Sequence, residues 1–155
     1  MAIPSLPTTA PLRWTIQTVR IGGLLVPIGR VEVDLLLPPV SLTAPWIAAA
    51  SWLDTGAPLS VIPFALKSQG LAWQPLPGVR VTWFGISCDL GHIDIWVTDL
   101  ASSSQRGPLR VLAKFPHRDP PGNPVPILLG LEFLLTHHAA LNLPSPPQNG
   151  TIQIP

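Results

Sequence analysis

Apolar and polar positions alternate in short runs along most of the chain, and turn residues separate many of the runs. Residues 31–37, which stop at Pro38, and residues 92–97, which follow Gly91, are strand candidates bounded by turn residues. Residues 46–53 are almost entirely apolar, as expected of a strand buried on both faces. Further β-like runs cover residues 14–21, 79–84, 109–115 and 151–154. Because only residues 131–138 have a helical pattern, about two turns long, the chain is predicted to be mainly β with one short C-terminal helix.

The N-terminal residues and the chain length determine the expected domain organisation. Residues 1–12 carry three prolines among small polar residues and are predicted to be a flexible lead-in. Residues 13–155 are predicted to form one domain, since a chain of 155 residues is hardly long enough for two independent cores. The 21 prolines and 12 glycines disfavour long uninterrupted helices, in agreement with a β fold.

The balance of apolar and charged residues predicts a folded chain that associates with a partner. Hydrophobic residues make up 46% of the sequence and charged residues only 11%, the opposite of the composition that keeps a chain disordered. With so few charges a solitary monomer would expose much apolar surface, and such surface usually contacts a partner. The net charge of +1 gives no general affinity for nucleic acid, so we expect no nucleic-acid partner.

Cysteine usage and the length of the apolar runs bear on the compartment. The single cysteine, Cys88, excludes an intrachain disulfide and a cysteine-rich zinc site, which fits a reducing compartment. No apolar run approaches the roughly 20 residues of a membrane-spanning helix. The N-terminus lacks the basic and apolar regions of a secretion signal. We therefore expect a cytoplasmic location and no membrane partner.

The segment with candidate chemistry is the triplet Asp54, Thr55 and Gly56, which directly follows the apolar run. A carboxylate placed at the end of a buried strand is costly unless it has hydrogen-bond donors or serves a function. Gly56 permits a sharp turn and a close approach of another chain or ligand, and the Thr55 hydroxyl can both donate and accept. A purely structural alternative is a strand that ends in an ordinary turn, with Asp54 bonded to local amides.

A second motif strengthens the functional interpretation of the Asp54 triplet. Residues 125–129 form another apolar run, which ends at Gly130 and leads into the predicted helix. Together the two motifs, about 75 residues apart, resemble the single-domain retropepsin-like aspartic proteases, the family of retroviral proteases and their cellular relatives. The resemblance in order and spacing covers about residues 13–154.

The resemblance implies a closed β-barrel of the acid-protease type and a catalytic role for Asp54. In that family two facing carboxylates share a proton, so that one activates a water molecule while the other polarises the scissile carbonyl. The sequence has one such triplet and no internal repeat, so the second Asp54 has to come from another copy in a C2 homodimer. We expect an aspartic endopeptidase that hydrolyses bonds in a peptide or protein substrate, without a metal or an organic cofactor.

The resemblance also implies supporting roles for neighbouring residues. Thr55 would hydrogen-bond across the dimer axis, the Gly56 N–H would approach the carboxylate, and Ala57 would line the substrate channel. The second motif would pack behind the catalytic loop with Ile127, Leu128, Leu129 and Gly130. Many viral members have a supporting ion pair where this chain has Pro58 and Leu131, so the polarity of the channel cannot be copied from them.

A flap hairpin is expected near residues 78–87, between the triplet and the strand at 92–97. Gly78 and Gly85 are the candidates for its tip, and Trp83 and Phe84 would then cover the substrate. The alternative is that both aromatic side chains belong to the hydrophobic core.

The sequence raises three other functional interpretations. A protease-like fold could serve as a dimerisation or peptide-binding module without useful turnover. The basic residues that recur between positions 106 and 118 could indicate a small nucleic-acid binder, although even spacing on a strand favours a solvated face. His117, Asp119, His137 and His138 lack a fixed metal-ligand spacing, so no metal site is predicted.

Overall fold

The computed structural model describes residues 8–102, 104–122, 124–145 and 148–155. The strands in these ranges are β1 (Thr8–Ile21), β2 (Leu24–Leu37), β3 (Ile47–Leu53), β4 (Ser60–Val61), β5 (Gln74–Trp83), β6 (Ile86–Asp99), β7 (Ser104–Pro116), β8 (Ile127–Leu129), β9 (Ala140–Asn142) and β10 (Gly150–Ile154), and the helices are α1 (Phe64–Lys67) and α2 (Leu131–Thr136). The predicted mainly β class is confirmed, and α2 is the predicted short C-terminal helix. The four-residue helix α1 was not predicted. No helix in the described ranges is long and apolar enough to cross a membrane.

The ten strands form one sheet in the order β5-β6-β7-β4-β8-β3-β2-β1-β10-β9. An additional pairing of β6 with β2 returns the sheet to itself, so that β2, β3, β8, β4, β7 and β6 make a circuit of paired strands. Strand β5 extends the sheet on one side of this circuit, and β1, β10 and β9 extend it on the other. The sheet is therefore not the clean closed barrel that the resemblance implies, because these four strands lie outside the circuit.

The hydrophobic core follows the period-two pattern of the central strands. Val33, Leu35 and Leu37 of β2 are fully buried, and the residues between them are half-buried. Strands β6 and β7 contribute alternate buried residues in the same way. Phe133 of α2 is also fully buried, and Phe115 of β7 stacks on Trp73 with ring centroids 4.0 Å apart. The core thus lies on one face of the paired strands, where the alternation in sequence indicates it.

The N-terminal strand corrects one prediction. Residues 8–12, expected to belong to a flexible lead-in, pair antiparallel with β10 from Thr8 opposite Ile154 to Leu12 opposite Gly150. Ala10 and Leu12 are buried in the core, which is the period-two signal that the neighbouring prolines obscured. The rest of the predicted lead-in, residues 1–7, lies outside the described residues.

Candidate functional site

The main chain of Asp54 is fixed by two parallel strands. Residues 51–53 of β3 pair with residues 127–129 of β8, with Leu53 opposite Leu129. The backbone N–H of Asp54 then donates to the carbonyl of Leu129 at 2.9 Å, so the ladder continues by one residue beyond β3. The apolar run and the second motif are therefore neighbours in space, and together they hold the triplet.

The Asp54 carboxylate lies at the surface end of this strand pair, half-buried. Its Oδ1 accepts a hydrogen bond from the backbone N–H of Gly56 at 3.0 Å. A Cβ atom at position 56 would lie 3.3 Å from the same oxygen, so glycine gives the carboxylate room. This contact is common to the ordinary Asp turn and to the catalytic arrangement. Thr55 is exposed, and its hydroxyl has no hydrogen-bond partner within the described ranges.

The turn between β8 and α2 is bound to the segment that follows the triplet. The N–H of Gly130 donates to the buried hydroxyl of Ser60 at 3.0 Å, and the N–H of Leu131 donates to the carbonyl of Ala57 at 2.8 Å. A Cβ atom on Gly130 would lie 2.6 Å from the carbonyl carbon of Leu59, so a larger residue requires a backbone shift. Gly130 thus packs directly against this segment.

The other predicted supporting residues divide into two groups. Ile127 and Leu129 are fully buried in the core. Leu128 between them points the other way, into a surface cleft that Asp54 also lines. Ala57 is half-buried and contributes its carbonyl, but it is not among the residues that line this cleft. Ser60 was missed by the sequence analysis as a supporting residue. The only available signal was a polar residue between two apolar neighbours, Leu59 and Val61.

The β5–β6 hairpin places one of the two predicted glycines at its tip. Trp83 pairs with Ile86, which leaves Phe84 and Gly85 as a two-residue turn with φ of 48° and 72°. Gly78, the other candidate, is not at the tip. It lies within β5 with a φ of 77°, in the stretch where the register with β6 shifts, so its backbone freedom serves a bulge.

Phe84 at the hairpin tip is unusual in two respects. Its side chain is 83% exposed, so the alternative that both aromatic residues belong to the core is wrong for Phe84. Its positive φ is also unfavourable for a bulky side chain. The Trp83 ring is half-buried and lies 5.2 Å from the Phe84 ring between centroids. An exposed phenylalanine at a position of positive φ adds little to the hydrophobic core and is not explained by stability.

A cleft of about 640 Å³ joins the triplet to the hairpin tip. This volume is in the range of small-ligand and peptide side-chain sites. Most of the lining is apolar, and its charged members are one carboxylate and two guanidinium groups. The lining residues are Arg30, Trp52, Leu53, Asp54, Trp83, Phe84, Ile86, Arg118, Pro120, Pro121, Val125 and Leu128. Of the predicted flap residues, Trp83 and Phe84 therefore share a cavity with Asp54, and Gly78 and Gly85 do not line it.

An ionic contact fastens the stem of the hairpin to the chain after β7. Asp89 of β6 lies 3.1 Å from Nε2 of His117 and 3.6 Å from Nζ of Lys67. The hydrogen bond with His117 is the main reason that the pKa of Asp89 is below its ordinary value of 3.8. The backbone N–H of His117 also donates to the carbonyl of Ser87 at 3.0 Å. The hairpin is thus anchored at its stem, and the tip residues Trp83 and Phe84 line the cleft.

Three of the four residues considered as metal ligands have other partners. His117 bonds Asp89, Asp119 accepts two backbone N–H groups at the start of α1, and His137 Nε2 lies 2.8 Å from the carbonyl of Arg110. Within the part of the chain that the structure describes, no three histidine, cysteine or acidic side chains are grouped in a way that could hold a metal ion. No family model matches the chain, and no curated protein matches its sequence.

Proposed function

We propose that the protein is an aspartic endopeptidase with a retropepsin-like fold that acts as a C2 homodimer. The observation that carries the proposal is that Asp54 and the aromatic tip of the β5–β6 hairpin line one cleft. A carboxylate that shares a cleft with an aromatic hairpin tip suits a site that encloses an extended peptide against an acid–base group. The parallel β3–β8 pair behind Asp54 and the closed strand circuit support the same assignment.

The reaction follows from the chemistry of two close carboxylates. Each chain supplies one Asp54, and two such groups a few ångström apart cannot both ionise, so they share one proton. The ionised Asp54 accepts a proton from a water molecule, whose oxygen attacks the scissile carbonyl carbon. The protonated Asp54 of the partner subunit donates to the carbonyl oxygen. The tetrahedral diol then collapses as a proton passes to the amide nitrogen and the C–N bond breaks. The mechanism needs no metal or organic cofactor.

Exposed groups near the triplet and elsewhere support association. The Thr55 hydroxyl is exposed beside Asp54 and is available for a hydrogen bond across the two-fold axis. Large apolar side chains are exposed elsewhere, including Leu24 at 71% and Leu25 at 66%. Apolar exposure of this kind is typical of chains that bury part of their surface against a partner.

The first test is cleavage of a diverse peptide mixture by the wild type and Asp54→Asn between about pH 4 and 7, with products identified by mass spectrometry. Asp99→Asn is the matched control, because Asp99 is an exposed carboxylate at the far end of β6 from the hairpin tip. We expect cleavage by the wild type and Asp99→Asn, and none by Asp54→Asn. Full activity in Asp54→Asn would refute the mechanism.

A second measurement separates the enzyme from a peptide-binding or dimerisation module. A statine-type peptide mimics the tetrahedral diol, and an active dyad binds such a mimic far more tightly than its substrate. We expect wild-type binding to be lost in Asp54→Asn. Folded dimers that neither cleave any peptide nor bind the mimic would overturn the proposal in favour of the module.

A further inference from the structure

The cleft beside Asp54 carries more positive than negative charge, although the chain as a whole is nearly neutral. Its lining contains two guanidinium groups, Arg30 and Arg118, and one carboxylate, Asp54. Neither arginine forms an ion pair or donates a side-chain hydrogen bond to any described residue. By contrast Arg13 is held by Asp34 in a bidentate pair at 2.7 Å. The two cleft arginines are thus free to bind a ligand.

Arg30 is held in place by an aromatic ring. Its guanidinium carbon lies 5.0 Å from the centroid of the Trp52 ring, a cation–π distance. The Trp52 ring is itself held, because its Nε1 donates to Glu32 at 3.0 Å. Glu32 in turn lies 3.7 Å from Arg13, so its charge already has a partner. Arg30 therefore presents an oriented cation at the wall of the cleft.

Arg118 is positioned by the residues on both sides of it. The backbone N–H of His117 donates to the carbonyl of Ser87 at 3.0 Å. The carboxylate of Asp119 accepts the N–H groups of Phe64 and Ala65 at 2.7 and 2.9 Å. The main chain at Arg118 is thus fixed while its side chain remains exposed in the cleft. A cation carried by a fixed main chain loses less entropy on binding than one on a mobile loop.

The charge of the cleft selects a ligand chemistry. An arginine fork is suited to bind a carboxylate through two parallel N–H···O bonds. The rest of the lining is apolar, so an acidic side chain would lie beside bulky apolar ones. Without the arginines, a substrate carboxylate in this cleft would be repelled by the ionised member of the aspartate pair.

We propose that Arg30 and Arg118 bind an acidic side chain of the substrate, so that the enzyme prefers peptides in which Asp or Glu lies close to the apolar residues at the cleaved bond. This inference rests on the proposed endopeptidase function and adds the substrate class. Arg30 and Arg118 are specificity-determining residues in this scheme, and Asp54 alone carries the chemistry.

The test uses a neutral peptide that the wild type cleaves, acetylated and amidated so that it has no terminal charge. A single Glu or Gln is moved through the four positions on either side of the cleaved bond. At about pH 6, where Glu is ionised, we expect the Glu peptide to exceed its Gln twin in kcat/KM by about fivefold to tenfold at one or more positions. At about pH 4 the ratio should fall towards one, because Glu protonates near 4.3 while arginine stays charged.

Substitutions assign the preference to the two arginines. Arg30→Gln and Arg118→Gln should each lower the Glu-to-Gln ratio, and the double variant should bring it to about one. The charge-conserving Arg30→Lys should keep part of it, which loss of structure would not allow. Arg20→Gln, an exposed arginine near the far end of the β1–β2 hairpin, is the control with an unchanged ratio. A wild-type ratio of one at every position, or one that survives the double substitution, would overturn the inference.

Binding separates this inference from the proposed function. Affinities of the Glu and Gln peptides for the folded Asp54→Asn protein are measured by fluorescence anisotropy, which needs no turnover. Cleavage without a preference for Glu supports the proposed endopeptidase function and refutes the inferred preference for acidic substrates. If the wild type cleaves no peptide, a capped apolar peptide with a single Glu or Gln is used instead. Arginine-dependent binding of its Glu form then refutes the protease and supports the acidic-ligand site.

Discussion

The hydroxyl of Ser60 accepts a hydrogen bond from the backbone N–H of Gly130 at 3.0 Å, and both residues are buried. The contact joins the segment that follows the Asp54 triplet to the turn between β8 and α2. These two segments are about 70 residues apart in sequence, so the bond closes a long loop around the candidate catalytic carboxylate. The geometry of Asp54 therefore depends on a residue that has no chemical role of its own.

Replacement of Ser60 by alanine removes a single hydroxyl group but should lower the stability of the fold markedly. The Gly130 N–H would remain buried without an acceptor, so the free energy of unfolding should fall by about 1–3 kcal/mol in urea titrations. Ser87→Ala is the control, because Ser87 is exposed and its hydroxyl has no partner among the described residues; its effect should stay within about 0.5 kcal/mol. Equal effects of the two substitutions would show that the Ser60 hydroxyl does not hold the turn.

A methyl group on Gly130 tests the close packing of the same turn. The φ of Gly130 is −82°, so alanine is allowed by the backbone and the penalty is steric. The new Cβ would lie 2.6–2.7 Å from the carbonyl group of Leu59, and we expect Gly130→Ala to lose about 1–3 kcal/mol of stability and most peptidase activity. The control Gly29→Ala meets only the Trp14 ring, at 3.2 Å, in the exposed β1–β2 hairpin, and should change both quantities little. Full activity in Gly130→Ala would contradict the supporting role of this turn.

Local sequence patterns are sufficient to predict some parts of this fold. The runs around Leu35 and Ile93 predict strands, and the structure has strands at both places. The apolar runs that end at Asp54 and at Gly130 also predict the two strands that prove to be neighbours. These features depend on residues adjacent in sequence, and a pattern can report them.

Other parts depend on contacts between distant segments, which a single sequence does not reveal. Gly78 and Gly85 carry the same local signal, and only the pairing of Trp83 with Ile86 puts Gly85 at the hairpin tip. Arg30 and Arg118 are 88 residues apart in the sequence (118 − 30). They line the same cleft only because the fold brings their segments together. Pairing with the C-terminal strand decides the structure of residues 8–12 in the same way.

The ionic contact at the stem of the hairpin predicts a pH dependence of stability. The folded-state pKa of Asp89 is lowered, chiefly by its hydrogen bond with His117. The contact therefore stabilises the fold above the ordinary carboxyl pKa of 3.8, and this contribution is lost as the pH falls through the lower folded value. Asp89→Asn should lower Tm by about 1–3 °C near pH 6, because the pair is partly exposed. The difference from wild type should shrink below about pH 3.8.

The partner of Asp89 provides the control for that prediction. In a His117→Gln background the further change Asp89→Asn should have a smaller effect on Tm, as expected of two groups that interact directly. Thermal melts followed by circular dichroism at several pH values measure all four proteins. Additive effects, or a wild-type advantage that persists at about pH 2, would refute the assigned contact.

Phe84→Asn should separate the functional role of the hairpin tip from its stability. Asparagine adopts a positive φ more readily than phenylalanine, and the Phe84 ring is 83% exposed, so stability should be unchanged or higher by up to about 1 kcal/mol. If the ring covers a bound peptide, its loss removes apolar contact worth about 1.5–3 kcal/mol, and kcat/KM should fall at least about tenfold. Leu100→Asn, at an exposed apolar residue beyond the far end of β6, should leave kcat/KM unchanged. A destabilised Phe84→Asn that keeps its activity in the folded fraction would assign the ring to the structure and leave the cleft without a lid at this position.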